Sequence, residues 1–292
     1  MVDQSHEEFE KRQTQAAEVG DGGQLVEADS FRGVHGQIVE AIGTAIANGT
    51  HSAGARLVPE SLGDDFGVSR TVIREALKVL EARGMVQVRP GSGPRVLPSS
   101  EWDLLDSDVI RWRSIGAESD TQVANLTALR SAIESLAARQ ACQERTPESL
   151  TRLRASIEGM RDSHAAEDWD KFTDVFVDFH RALIAASGSM ILEQLAAPVE
   201  AALRAASQTK RARAAGRDAI FVRQVISWHE AVVDAIEDRD EGTAEFIMRR
   251  ISTLRIDEEA STPDRQELIM RTDDGERYRI HTSRHGEVGR EG

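Results

Sequence analysis

The chain contains one cysteine, Cys142, which excludes an intramolecular disulfide, a thiolate metal cage and a C-x-x-C redox pair. Cys142 itself reads as a small buried residue on a helix. No uninterrupted apolar run approaches the roughly 20 residues of a membrane span, and the stretch MVDQSHEEFEKR at the start is polar and acidic, without the apolar core of a secretion signal. These absences predict a soluble, cytoplasmic protein with no membrane partner. There is no internal repeat, no low-complexity tract and no glycine loop of the kind that cradles a phosphate. No acid and base stand at a spacing useful for catalysis, so an enzyme is not expected. Basic residues are also scarce: 36 Lys and Arg face 50 Asp and Glu, for a formal net charge of -14. A non-specific architectural DNA protein would be basic throughout, and this chain is not.

What is present is enough apolar material, 40% of residues, for packed cores in two modest domains. The charge is unevenly spread. Residues 1–30 carry 2 basic and 8 acidic side chains, residues 31–100 carry 8 and 6, and residues 101–292 carry 26 and 36. Only the middle block is net positive, and a nucleic-acid contact belongs there.

Residues 1–30, with Gly20, Gly22 and Gly23 amid charges and no sustained periodicity, read as a flexible arm. Across 31–98, Val34, Ile38, Ile42, Ala45 and Ile46 predict a first helix that ends at Asn48-Gly49. Pro59 suits the first turn of a second helix ending near Phe66. Ser69 can cap a third helix that runs from Arg70 to about Arg83 and stops at Gly84. Met85 to Arg89 and Arg95 to Leu97 read as two short strands around Pro90-Gly91-Ser92-Gly93-Pro94. Helix, helix-turn-helix and hairpin, in that order, make a winged helix-turn-helix. Residues 99–120 read as a linker. Helical patterns alone follow, near 123–143, 147–162, 167–187, 190–208, 217–237 and 242–257, giving an all-helical domain over 121–258. Residues 259–292 are polar, Arg-rich and aperiodic and read as a disordered tail. The predicted fold is mainly α, a winged helix-turn-helix followed by a helical bundle.

On the third helix Ile73, Ala76, Leu77 and Leu80 form one apolar stripe, while Arg70, Arg74 and Lys78 recur every four residues on another face. A recognition helix enters the major groove N-terminus first, which places Ser69, Arg70, Thr71 and Arg74 nearest the bases. Arginine can pair bidentately with guanine, the commonest specific contact. The hairpin adds Arg89, Gly91 and Arg95, with glycine permitting close backbone approach to a phosphate. Charges like these usually just solvate an exposed helix. The turn, cap and Gly-rich wing around this one favour DNA. Arg74 adjoins Glu75, with which it can share its charge.

The run FGVSRTVIREALKVLEARGMV, Phe66 to Val86, resembles the signature of GntR-family regulators, and the resemblance continues through Gly91. It implies that Arg70, Thr71, Arg74 and Gly91 contact operator DNA. One departure lies upstream. Leu57-Val-Pro-Glu-Ser-Leu62 is one residue shorter than the family's LPxExxL segment, and Ser61 stands where an arginine commonly follows the Glu. One DNA contact from the second helix is thereby put in question.

The all-helical second half resembles the FadR subfamily, whose bundle senses an effector. Leu129 to Glu134, Asp178 to Gly188 and Trp228 to Ile236 carry the resemblance, which covers about residues 33–257. Many members hold a divalent metal with an Asp, a His four residues later, and two further His. His180 and His229 match two of these positions, whereas Phe176 and Ile251 occupy the others. Neither Asp178 nor Asp174 shares the face of His180, lying about 200° and 240° away around the helix. Three readings therefore stand for the two imidazoles: effector contact, a divalent metal held by His180 and His229 alone, or core side chains satisfied by hydrogen bonds. No cofactor is firmly implied. Arg130, at the edge of its helix's apolar stripe, can clamp a carboxylate bidentately or pair with Glu134 at i+4. Glu101 to Trp112 resembles the linker of galactonate-type sugar-acid regulators and points to a small hydroxy-carboxylate effector. The two Trp with Leu104, Leu105 and Val109 suit equally well the packing of a linker against both domains. The expected function is a DNA-binding transcriptional regulator, a repressor by family default. It would bind a pseudo-palindromic operator as a homodimer and respond to a small carboxylate.

Overall fold

A computed structural model of the chain describes residues 33–89, 91, 93–115, 119–213, 219–253, 268–271, 277–280 and 288–290. The expected flexible arm, 1–30, lies outside the described residues. The first domain is built from α1 (Val34–Ala47), α2 (Pro59–Phe66) and α3 (Arg70–Ala82), then a hairpin of β1 (Val86–Arg89) and β2 (Gly93–Val96). Pro59 opens α2 in its first turn, where its missing N–H costs nothing, and Gly67 ends it at φ 65. Ser69 then caps α3 by accepting from the Val72 amide at 3.4 Å. Ile73, Ala76, Leu77 and Leu80 are all buried, so the apolar stripe is the packed face of α3 against α1 and α2. In the hairpin, Val86 pairs with Val96 and Arg89 with Gly93, so β2 begins two residues earlier than expected. Gly91 at φ 82 and Gly93 at φ 73 make the tight reversal, a conformation that side chains with a Cβ resist.

The linker contains structure that periodicity did not predict. After a 3-10 turn at Ser99–Glu101, α4 (Ser107–Arg113) forms with Asp106 as its cap, accepting from the Asp108 and Val109 amides. A seven-residue helix is too short to display a repeat. Val109 and Trp112 are fully buried in the core of the first domain, while Ile110 packs against Leu126 and Ala202 of the second. Trp102 donates its indole N–H to the Leu97 carbonyl at 2.9 Å. Leu104 and Leu105, expected to help this packing, remain exposed.

The second domain comprises α5 (Ser119–Glu144), α6 (Pro147–Ala165), α7 (Trp169–Ala186), α8 (Met190–Gln194), α9 (Ala196–Arg213), α10 (Ala219–Glu237) and α11 (Glu241–Thr253). A capping box between Thr146 and Ser149 with Pro147 in the first turn starts α6. The single helix expected over 190–208 is broken at Leu195. Pro198 lacks an N–H and its ring would clash with the carbonyl four residues back, at Gln194, so the chain restarts as α9. α11 lies along α5, α6 along α7, and α10 against α6 and α11, around a core of Leu153, Ile157, Phe179, Leu183, Val232, Val233 and Met248. Cys142 is buried, and burial beside Asp240 and Glu241 pushes its thiol up to about 11, which leaves it unreactive.

Of the tail expected to be disordered, three short segments are among the described residues, all of them strands. β3 (Leu268–Arg271), β4 (Arg277–Ile280) and β5 (Val288–Arg290) pair antiparallel in the order β3-β4-β5. Leu268 to Met270, Tyr278 and Ile280 have strand propensity, and Asp274-Gly275 between β3 and β4 is a hairpin dipeptide. Among the described residues no helix is long and apolar enough to cross a membrane.

One close approach fixes the linker to the first domain. A Cβ on Gly43 of α1 would stand 2.6 Å from the Trp112 ring. Gly→Ala inside a helix ordinarily stabilises by about 0.5–1 kcal/mol, whereas forced overpacking costs about 1–3 kcal/mol. Gly43→Ala should therefore lower the melting temperature, and a rise in a calorimetric scan would contradict this seating of Trp112.

Candidate nucleic-acid interface and buried histidine cluster

Ser69, Arg70, Thr71, Arg74 and Lys78 all lie exposed on one side of α3, opposite its buried stripe. The Ser69 oxygen serves the cap, which leaves its O–H to donate outward. Arg70 reaches Glu60 at the start of α2, at 3.3 Å. Glu75 pairs with Lys78 at 2.9 Å and not with Arg74, which keeps no carboxylate partner among the described residues. Arg89, Gly91 and Arg95 are exposed on the hairpin, where Arg95 also donates to the Gly54 carbonyl at 2.9 Å. The residues expected to read DNA thus gather on two adjoining features, the start of α3 and the wing.

In the bundle, His180 of α7 and His229 of α10 are brought together with no solvent exposure, their Nε2 atoms 3.4 Å apart. His229 Nδ1 lies 2.6 Å from the Val225 carbonyl oxygen, which can only accept. That nitrogen therefore carries the hydrogen, and His229 Nε2 accepts across the gap. On the other edge of His180, Nδ1 lies 2.9 Å from Glu134 Oε1, off the line of a good hydrogen bond. Glu134, also fully buried, contacts Arg130 at 3.4 and 3.2 Å and accepts from the Ser252 hydroxyl at 2.6 Å. Burial works against its charge, but Arg130, His180 and Ser252 override it and hold the carboxyl below the usual carboxylate range. Burial, then the neighbouring His180, pushes His229 down to about 3. Of the two roles open for Arg130, the structure displays the pairing with Glu134. Ser252 was missed, because a hydroxyl beside the apolar Ile251 carries no signal of its own.

Between the two regions runs a chain of ion pairs. Arg111 grips Glu40 of α1 with both Nη atoms and also reaches Asp108 at 2.8 Å. Trp112 donates its indole N–H to the same Glu40 at 2.9 Å, and Arg83 bridges Asp106 and Asp108 at 3.0 and 2.6 Å. Burial opposes the charge on Glu40, yet the bonds from Arg111 and Trp112 lower its pKa.

Residues 35–96 match the family model for bacterial regulatory proteins of the gntR family, and residues 125–253 match the FCD domain. The chain belongs to the GntR family. Its FCD domain places it in the FadR-type subfamily. It is 26% identical over 226 residues to the galactonate operon transcriptional repressor of Escherichia coli (strain K12), covering 76% of this chain and 96% of that protein. To the HTH-type transcriptional repressor NanR of Cronobacter sakazakii (strain ATCC BAA-894) it is 30% identical over 181 residues, 62% of this chain and 67% of that one. A solved structure of Lar, which controls expression of the Listeria monocytogenes agr system, shares the fold at a TM-score of 0.55 and 15% identity, over 77% of this chain and 95% of that one. Both domains and these relatives are those of transcription regulators, a class without enzymatic activity.

The metal that many FadR-type bundles hold does not suit the residues present. A resident ion needs three or four protein donors, and among the described residues only the two Nε2 atoms converge. The Phe176 ring, its centroid 4.7 Å from His180 and 5.2 Å from His229, covers the imidazoles where a carboxylate ligand would stand. Ile251 is apolar, Glu134 is turned to the opposite edge of His180, Asp178 is exposed, and Asp174 is exposed and paired with Arg204 at 2.7 Å. Among the described residues no three His, Cys, Asp or Glu side chains form a metal-holding group.

A neutral buried His229 makes stability depend on pH with a definite sign. Its folded pKa lies below the ordinary 6.5, so the unfolded chain binds the extra proton. The stabilisation is complete above about pH 6.5 and drains as pH falls toward about 3, with a limiting slope of about 1.4 kcal/mol per pH unit. Glu134 adds a loss of the same sign below its ordinary 4.5. Denaturant unfolding between about pH 7 and 5 should show a shallower pH dependence for His229→Gln than for the wild type. Identical slopes would contradict a neutral His229.

Proposed function

We propose that this GntR-family regulator is a cytoplasmic repressor that binds a pseudo-palindromic operator as a homodimer and responds to a small carboxylate, a sugar acid by preference. The observation that carries the DNA reading is Arg74, an exposed guanidinium without a carboxylate partner among the described residues. It lies beside Arg70 and Thr71 at the leading end of a helix whose other face is packed. One such helix reads only a few base pairs, and a dimer that presents two of them in successive major grooves supplies the missing specificity. In the proposed complex Arg70 and Arg74 address base edges, Ser69, Thr71 and Lys78 address phosphates, and the wing with Arg89, Gly91 and Arg95 flanks the site.

Two observations support the effector reading. Relatives are named for galactonate and for the Uxu operon, both consistent with a sugar-acid signal. Arg130 is the most exposed member of the buried cluster, at 8%, and its contacts to Glu134 are long, so an arriving carboxylate meets this guanidinium first. Behind Arg130, His180 and His229 would sense the exchange. The α5 and α9 surfaces that touch Ile110 would pass it to α4 and so to α3.

Arg74→Ala should weaken operator binding by about 1–3 kcal/mol, and Arg70→Ala by less because Glu60 already shares its charge. Unchanged affinity in both folded variants, measured by fluorescence anisotropy, would remove α3 as the reading helix. A thermal-shift screen of sugar acids should find a compound that raises the melting temperature of the wild type and not of Arg130→Ala. A screen in which no carboxylate shifts the wild type would defeat the effector reading while leaving DNA binding untouched.

A further inference from the structure

We propose that Arg56, far from the recognition helix in sequence, is an additional phosphate-contacting residue of the DNA face, a proposal that rests on the DNA reading above. Ala55 to Leu57 runs as an extra rung beside the wing. Gly54 donates to the Val96 carbonyl at 2.8 Å, Val96 to that of Ala55 at 3.0 Å and Leu57 to that of Pro94 at 2.9 Å, and Arg56 pairs with Arg95. Directly paired residues share a face of a sheet, as do residues two apart on one strand. Arg56, Arg95, Gly93 and Arg89 therefore occupy a single face, and all three arginines are exposed.

The Arg56 guanidinium lies over Gly93, its Nε 3.3 Å and Nη2 3.6 Å from where a Cβ on that glycine would sit. A residue with a side chain would displace it, so the wing glycine serves as its seat. None of the three arginines has a carboxylate partner among the described residues. Like charges set directly opposite destabilise a sheet, and Arg56 beside Arg95 is such a pair. A polyanion relieves that repulsion, and the phosphate backbone is the polyanion this domain faces. The position is continuous with the reading helix. Two residues beyond Leu57, Pro59 opens α2, and the next residue, Glu60, touches Arg70. Ser61 lacks the charge that an arginine would bring to α2, and Arg56 supplies a guanidinium from the neighbouring rung.

The test uses the full-length chain and a duplex that the wild type enriches from a random-sequence pool, with a scrambled duplex of the same length beside it. Anisotropy titrations give the slope of log affinity against log salt. Arg56→Gln, which keeps a polar side chain of reduced length without the charge, should lower the slope by about 1 per bound protomer and weaken both duplexes by the same factor, about tenfold. Arg56→Lys should retain the slope. A wild-type slope in Arg56→Gln would overturn this proposal alone, as would a lost slope in a folded Arg56→Lys. Should Arg56→Gln fail to fold, Arg56→Met, which also removes the charge, decides by the same criterion. Salt-insensitive binding by the wild type would overturn the DNA reading and this proposal with it.

Discussion

The carboxylate of Glu134 is the charge around which the helical domain closes. A buried carboxylate without partners costs several kcal/mol, so a fold that keeps one must bring compensation from every side. Here it comes from four helices. Arg130 lies one turn away on α5, Ser252 arrives from α11, His180 from α7, and His229 of α10 completes the chain by accepting across from His180. Ordinary apolar packing tolerates small slips between helices, whereas a slip of α11 or α10 here would part Ser252 from Glu134 or His229 from His180 and leave a buried polar group unpaired. Phe176 has a place in the same logic. Its ring, set edge-on to both imidazoles, encloses them in apolar surface and depresses the basicity of His229 by excluding water. What the subfamily commonly builds as a metal site is here a buried polar chain.

In the proposed regulator, coupling between that chain and the reading helix would run through α4, and the magnitudes indicate which contact holds it. The Glu40–Arg111 pair is about one-third exposed on both sides, and pairs of that kind contribute roughly 0–1 kcal/mol. Full burial of Trp112 removes on the order of 150–250 Å² from water, worth about 4–6 kcal/mol. Trp112 therefore anchors α4, and the ion pairs set its orientation. Val109 and Trp112 belong to the core of the first domain while Ile110 faces the second, so α4 is held from both sides, against α1 and along α9. A helix shared by two cores is placed so that, in the proposed regulator, a shift of α5 or α9 would change the angle of the reader without unfolding either core.

The DNA-binding half was legible because each of its elements carries a local signal. Pro59, Ser69 and Gly84 mark helix ends, and the stripe from Ile73 to Leu80 specifies which face of α3 packs. The missed features share a different cause, a dependence on residues distant in sequence. α4 is too short for periodicity and exists through Glu40 and Gly43, some 70 residues earlier. His180 and His229 could be paired from family resemblance, yet the closure by Ser252 required knowing that α11 lies against α5. Arg56 gave no sign at all, since only the rung beside β2 carries it to the wing. The tail strands were hidden by their arginines, which mask the alternation that marks a strand.

The acidic balance of the chain bears on how such a regulator works. Beyond residue 100 the side chains are net negative, and that charge repels a duplex at any distance the salt does not screen, about 8 Å at physiological ionic strength. If attraction is confined to the proposed face at the start of α3 and the wing, non-specific affinity, which rests on phosphate contacts, is held down. Specificity is a ratio of affinities, and lowering the non-specific member raises it without any further base contact.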